Sequence, residues 1–350
     1  MITENYQDIV NNVNKLLDEN TEWKIRYANY AEKLLEHKNN FNAQALRQLK
    51  FLTSKISFSL TYHSTITSIL NNEIFLMYHG LKVIKVKVDS KGRVWIHLLK
   101  KDNLTESKIK YQLMNDNYEK IISEARYFIK KLISDNKNLE YAVESSLKEK
   151  IRKQNNKDVF FKEFAPIAVL ELENSAVFHF QMPVPISASK IYKSASALSY
   201  SKNSKPGIDL MARSKKFIKK KDETSICIIE IKDSFVEKER PELAIKQAIA
   251  YSTFIGRLLR TNEARNDIWY SFFRGKIQNF ASKGYMQKLF KPLEIRTFIA
   301  MPLENNKTSL SFGGVKLSFN EEYPEDQIVL GYMDLVLDDN HNVISLKHSE

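Results

Sequence analysis

Residues 226–232 read Ile226-Cys227-Ile228-Ile229-Glu230-Ile231-Lys232. A β-branched run with no breaker predicts a buried strand, and this one ends on an acid and a lysine. Side chains two apart on a strand leave from the same face, so Glu230 and Lys232 emerge side by side. Upstream, Gly207-Ile208-Asp209-Leu210-Met211-Ala212 predicts a second strand, with Pro206 just before it. Lys219-Lys220-Lys221-Asp222-Glu223 is the polar turn between the two. The simplest joining is an antiparallel hairpin, which brings Asp209 next to Glu230. Two carboxylates at that separation repel each other unless a cation sits between them.

Downstream, Glu237 to Arg260 predicts a long helix, with Pro241 in its first turn. Ala244, Ala248, Tyr251, Ile255 and Leu258 recur at three- and four-residue steps and make one face apolar. Gln247 and Tyr251 are four apart and stack on one face. Packed on the hairpin, this helix leans both polar tips toward the acids.

The order Gly-Ile-Asp, then Glu-x-Lys on a strand, then Gln-x-x-x-Tyr on the next helix resembles the PD-(D/E)xK phosphodiesterase superfamily, in the branch with the Gln/Tyr helix that includes RecB-like nucleases. The resemblance covers roughly residues 140 to 300. It implies an α/β fold with a restriction-endonuclease-like mixed sheet (an α-β-β-β-α-β core). It also implies a metal-dependent nuclease that hydrolyses phosphodiester bonds, of DNA in preference to RNA, in a setting such as restriction, phage defence, repair or a mobile element. Carried over, Asp209 and Glu230 are Mg²⁺ ligands with the Ile231 carbonyl, and Mn²⁺ substitutes. Lys232 positions or activates the attacking water, and Gln247 and Tyr251 shape the site. The acid that the family often places on the helix before the sheet falls to Glu144 or Glu149, on the helical stretch Tyr141 to Lys153. In one respect the chain departs from the pattern: Pro206 precedes the acid by three positions rather than one. The alternative is a catalytically inactive module of the same fold that binds nucleic acid or a protein.

Glu-x-Lys also occurs at Glu22-Trp23-Lys24 and Glu106-Ser107-Lys108, in segments that read as solvated helix. Only Glu230-Ile231-Lys232 follows an apolar strand and a neighbouring Gly-x-Asp, and precedes Gln-x-x-x-Tyr.

Net charge is +12, the footprint of a polyanion binder. Its distribution points to the same place. Ser187 to Lys205 carries Lys190, Lys193, Lys202 and Lys205 and no acid, and Lys215 and Lys216 follow the Asp209 strand. These six lysines are the candidate nucleic-acid contacts.

The chain holds 9 glycines, where an average one of this length would hold about 25. No GxxxxGK[ST] and no GxGxxG occurs, which argues against ATP and dinucleotide sites. The seven histidines lack zinc-ligand spacing. Asp339-Asn340-His341-Asn342 reads as a hairpin turn between Met333–Leu337 and Val343–Leu346. One cysteine, no apolar run of membrane-spanning length and no signal-peptide pattern at the N-terminus lead to the expectation of a cytoplasmic protein with no membrane contact.

Residues 1–136 are expected to form an N-terminal helical and β region that binds nucleic acid or a partner, and residues 137–350 the nuclease-like domain with a C-terminal β extension. The first part predicts two or three helices over residues 3–56, which offer a surface for a protein partner or for self-association. A helix over Leu60–Leu70 follows, then strands at Ile74–Met77, Val83–Val88 and Val94–Leu99 and a helix over Tyr118–Ile133. The second part predicts strands at Ala168–Leu172, Val177–Gln181, Ile295–Ala300, Leu310–Phe319 and Val329–Leu337. Trp269, Tyr270, Phe272 and Phe273 read as core.

Overall fold

The computed structural model describes residues 5–41, 43–56, 60–78, 81–99, 106–113, 117–133, 143–144, 146–148, 150, 164–172, 176–188, 198–202, 207–214, 225–232, 241–273, 292–302, 314–339 and 342–349. The described residues form a mixed α/β protein with two seven-stranded sheets and one two-stranded ribbon.

The apolar run at 226–231 becomes β12 (Ser225–Ile231), buried along its whole length. Burial on both faces is what a continuous β-branched run requires. β12 lies at the centre of the second sheet. It pairs antiparallel with β11 (Leu210–Ser214), which in turn pairs with β6 (Phe164–Pro166). On its other edge it runs parallel to β13 (Glu294–Pro302), and β13 runs parallel to β15 (Gln327–Leu337). β14 (Lys316–Ser318) and β16 (Val343–Ser349) both pair antiparallel with β15. At the β15–β16 turn, Asp338 Oδ1 accepts the Asn342 N–H at 2.8 Å, the turn chemistry expected of that polar stretch.

One helix covers each face. α6 (Pro241–Arg260) buries Ala244, Ala248, Tyr251, Ile255 and Leu258 against the sheet, and Ser252 hydrogen-bonds Thr297 of β13 at 2.6 Å. Gly256 lets the helix approach closely: a Cβ there would meet the Phe319 ring at 2.4 Å. On the other face, the helical residues Val143 and Leu147 join Leu210, Ile229 and Ile231 in a second core. α7 (Asn266–Phe273) buries Trp269, Tyr270, Phe272 and Phe273 as expected.

Three helices open the chain: α1 (Tyr6–Glu19), α2 (Glu22–Asn40) and α3 (Ala43–Ile56). The Ile9/Val13/Leu17 stripe of α1 packs on α6. The first sheet follows, in the order β5 (Glu106–Gln112), β4 (Val94–Leu99), β3 (Leu81–Val88), β2 (Glu73–Tyr78), β1 (Thr61–Thr65), β8 (Ala176–Gln181), β7 (Ala168–Leu172). α5 (Tyr118–Ile133) packs on it.

One element differs in type from expectation. Leu60–Leu70 is not a helix: it is β1 followed by the short α4 (Ile66–Leu70). Thr61, Tyr62 and Thr65 favour extended backbone, and β1 gains partners on both edges, β2 and β8. Thr65 then caps α4 reciprocally with Ser68. The Glu106-Ser107-Lys108 repeat of Glu-x-Lys lies in edge strand β5 rather than in a helix. The expected division at residue 136 does not coincide with the sheets. β7 and β8 lie beyond it yet complete the first sheet, while α1 lies before it and packs on α6 of the second. A small ribbon, β9 (Ile186–Ser187) with β10 (Ser199–Tyr200), follows β8.

His37 of α2 is fully buried, with its ring centre 4.6 Å from that of Phe41 at a tilt of 42°. Burial pushes its imidazole down to about 4, and the nearby Ile69 backbone opposes this in part. A folded-state pKa below the unfolded 6.5 means that the unfolded chain takes up the proton first. Stability is therefore intact above about pH 6.5 and is lost as the pH falls toward 4, by up to about 3 kcal/mol. Urea denaturation at stepped pH checks this: His37→Leu should flatten that part of the slope.

Candidate active site

Alternation along β12 sends Ile226 and Ile228 to the core beneath α6, and Cys227, Ile229 and Ile231 to the core on the other face. Glu230 and Lys232 continue the first set, so both lie on the α6 side. In β11, Met211 belongs to the α6-side core and Leu210 to the other. Asp209, two before Met211, shares the α6 side, and the register Leu210↔Ile229 sets it opposite Glu230. Asp209, Glu230 and Lys232 therefore meet on one face.

The contacts tie them together. Asp209 Oδ2 accepts the Ile231 N–H at 3.0 Å. Lys232 Nζ donates to Glu230 Oε1 at 2.9 Å. Glu230 is fully buried, Lys232 is 8% exposed, and Glu230 Oε2 meets no hydrogen-bond donor. On α6, Gln247 Nε2 donates to the Tyr251 hydroxyl at 2.8 Å, and Tyr251 is buried over the acids. Glu144 comes from the helical segment on the opposite face, where it pairs with Lys148.

Electrostatics follow from this crowding. Burial raises the Asp209 carboxyl to about 6, the Glu144 charge adds to the rise, and Lys232, the Ile231 N–H and Lys148 oppose it. Glu230 is pushed well above the usual carboxylate range, first by burial, then by the Asp209 charge. Burial and the Glu230 charge likewise raise the Tyr251 phenol. Two acids with raised pKa values that share a face hold a proton between them unless another cation neutralises them.

The donor set fits a hard divalent cation. Asp209 and Glu230 offer carboxylate oxygens, one of them buried without a partner. The Ile231 carbonyl opens to the edge that its N–H shares with Asp209, because a strand residue presents both groups to one neighbour. Mg²⁺ takes one or two carboxylates and completes its shell with water and substrate oxygens. Among the described residues, no three acid, imidazole or thiol side chains converge to enclose an ion.

Of the expected contacts outside this cluster, Lys202 is exposed, and its carbonyl accepts from Arg26 Nη1 of α2. Lys190, Lys193, Lys205, Lys215, Lys216 and Glu149 lie outside the described residues. Two groups near the cluster were not expected. Lys148 is buried, and its only sequence signal is the four-residue step from Glu144. Asp334 interrupts the apolar β15 and is 8% exposed, with Oδ1 unpartnered. It lies level with Met301 of β13 on the α6 side, two strands from Lys232, or about 10 Å.

Compared with protein-family models, with curated proteins and with solved structures, the chain matches none.

Proposed function

We propose that the chain is a metal-dependent nuclease, a phosphodiesterase that cleaves nucleic acid, DNA in preference to RNA. The observation that carries this reading is the meeting of Asp209, Glu230 and Lys232 on one buried face under Tyr251, with Glu230 Oε2 left unsatisfied. The order of elements within the second sheet supports it as well: a helix at Glu144, then β6, β11, β12, α6 and β13 follow the α-β-β-β-α-β succession implied by the resemblance, with β7 to β10 inserted between β6 and β11.

In this mechanism, Asp209 and Glu230 in their ionised forms, with the Ile231 carbonyl, would hold Mg²⁺ or Mn²⁺. When bound, the ion supplies Lewis-acid charge to the phosphate. Lys232 carries a positive charge at the strand end, where it stabilises the charge that develops on the phosphate oxygens and orients the attacking water. Gln247 fixes the Tyr251 hydroxyl, and Tyr251 closes one side of the cluster against solvent.

A second reading, a non-cutting nucleic-acid-binding module, is favoured by one pair of observations. Lys148 already neutralises Glu144, and Lys232 already holds Glu230 Oε1.

One assay separates the two. The full chain is incubated with supercoiled plasmid and with labelled single-stranded DNA, in Mg²⁺, Mn²⁺ or EDTA. Metal-dependent cleavage that falls by about a hundredfold or more in Asp209→Asn, with the circular dichroism spectrum unchanged, is the expected result. Binding without cleavage in either metal establishes the module instead.

A further inference from the structure

The first sheet has a second, polar face that the acid cluster does not explain. Cross-strand partners share a face, and the register aligns His179, His63, Phe75, Lys85, His97 and Lys110 in one row across β8, β1, β2, β3, β4 and β5. The next row on that face holds Glu73, Lys87, Trp95 and Gln112. Lys82, opposite Met77 at a bulge, joins them. The intervening Ile74, Leu76, Ile84, Val86 and Ile96 turn the other way, into the core shared with α4 and α5. Phe75 and Trp95 are half-buried and take no part in that core.

Two cation–aromatic pairs stand on this face. Lys82 Nζ lies 4.5 Å from the centre of the Phe75 ring, and the Arg93 guanidinium lies 5.7 Å from that of Trp95. Asp89 fixes the second pair by accepting from Arg93 Nε at 2.7 Å and from Trp95 Nε1 at 3.2 Å. Glu73 lies 3.6 Å from Lys85 and 3.7 Å from Lys87. Glu106 and Glu171 fall on this face by register, opposite Leu99 and Val177, and Lys85 is buried, so the cations of the face that reach solvent are Lys82, Lys87 and Arg93.

We propose that this face docks single-stranded nucleic acid, with Phe75 and Trp95 stacking on unpaired bases and Lys82, Lys87 and Arg93 contacting the backbone. The proposal goes beyond the acid cluster and does not depend on it. Fixed aromatic rings set among cations are what single strands require, because every base has a π-face and every phosphate needs a counter-charge. A duplex hides its base faces, so it would forgo the two rings. A protein partner fits less well. The large exposed apolar side chains among the described residues (Ile25, Phe51, Leu70, Tyr127, Val336 and Ile344) all lie elsewhere, so the face lacks the apolar centre of a protein interface.

Fluorescence anisotropy of labelled oligothymidylate against the full chain tests this, in EDTA so that the result does not depend on whether the acids cut. The Lys82→Gln/Lys87→Gln double variant should bind about tenfold or more weakly. Its slope of log affinity against log salt should fall by about 1.4, or about 0.7 for each lost phosphate contact. Phe75→Leu should weaken binding about fivefold or more at an unchanged salt slope. Unchanged affinity and slope in the double variant overturn the proposal. So does duplex binding as tight as that of the single strand, or retention of the wild type by phosphatidylserine vesicles but not by the oligonucleotide.

Discussion

Lys232→Ala is expected to lower metal-dependent cleavage by about a hundredfold to ten-thousandfold, with nucleic-acid binding retained. The side chain is buried and bonded to Glu230 Oε1, so it is held in one place at the end of β12. A fixed ammonium in a dry cluster is worth far more to a developing negative charge than one in water. Its removal also strips Glu230 of its counter-charge, which drives that already raised carboxyl further toward its protonated form. Two effects then add: lost stabilisation of the phosphate charge and weaker hold on the metal. Single-turnover rates measured against Mn²⁺ concentration separate them, since saturating metal restores the second and not the first. A merely structural Lys232 would give a lower thermal midpoint with an unchanged rate at saturating metal.

Asp326→Ala is expected to cost about 3–5 kcal/mol of stability. Arg260, at the end of α6, donates to Asp326 from Nε at 2.6 Å and from Nη2 at 2.7 Å. Both side chains are almost wholly buried, at 3% and 0% exposure. Asp326 Oδ1 also accepts the Leu293 N–H at 2.8 Å, just before β13 begins, and the Arg260 guanidinium lies over the Tyr323 ring at 4.4 Å. One carboxylate therefore joins α6 to the starts of β13 and β15. Without it, a guanidinium stays buried with its main partner gone, which is far costlier than losing the pair together. Urea denaturation should show the loss in Asp326→Ala, and the Arg260→Met/Asp326→Leu double variant should recover much of it. A loss below about 1 kcal/mol in the single variant would rule out this role.

What was legible in the sequence was what is local and periodic. β12 announces itself by a β-branched run, and α6 by its three- and four-step stripe. Asp209, Glu230 and Lys232 could be placed on one face because alternation along two neighbouring strands is a rigid rule. Pairings across long separations left no such trace. β1 looked helical because its partners, β2 on one side and β8 on the other, are not written in its own residues. Arg260 and Asp326 are 66 residues apart, with nothing local to link them. Asp334 was the exception that offered a signal, an acid inside an apolar strand, and Lys148 offered only its spacing from Glu144.

The two sheets are joined at the acid itself. Ile208 donates its N–H to the Met182 carbonyl at 3.0 Å, and Pro183 bridges to Gly207, so the backbone entering Asp209 is laid along the strand end leaving β8. Severing the polypeptide near residue 136 would therefore not yield two autonomous pieces. The C-terminal fragment would carry β8 stripped of β1, an open edge that invites pairing between molecules. It would also support Asp209 on scaffolding that had lost its own foundation.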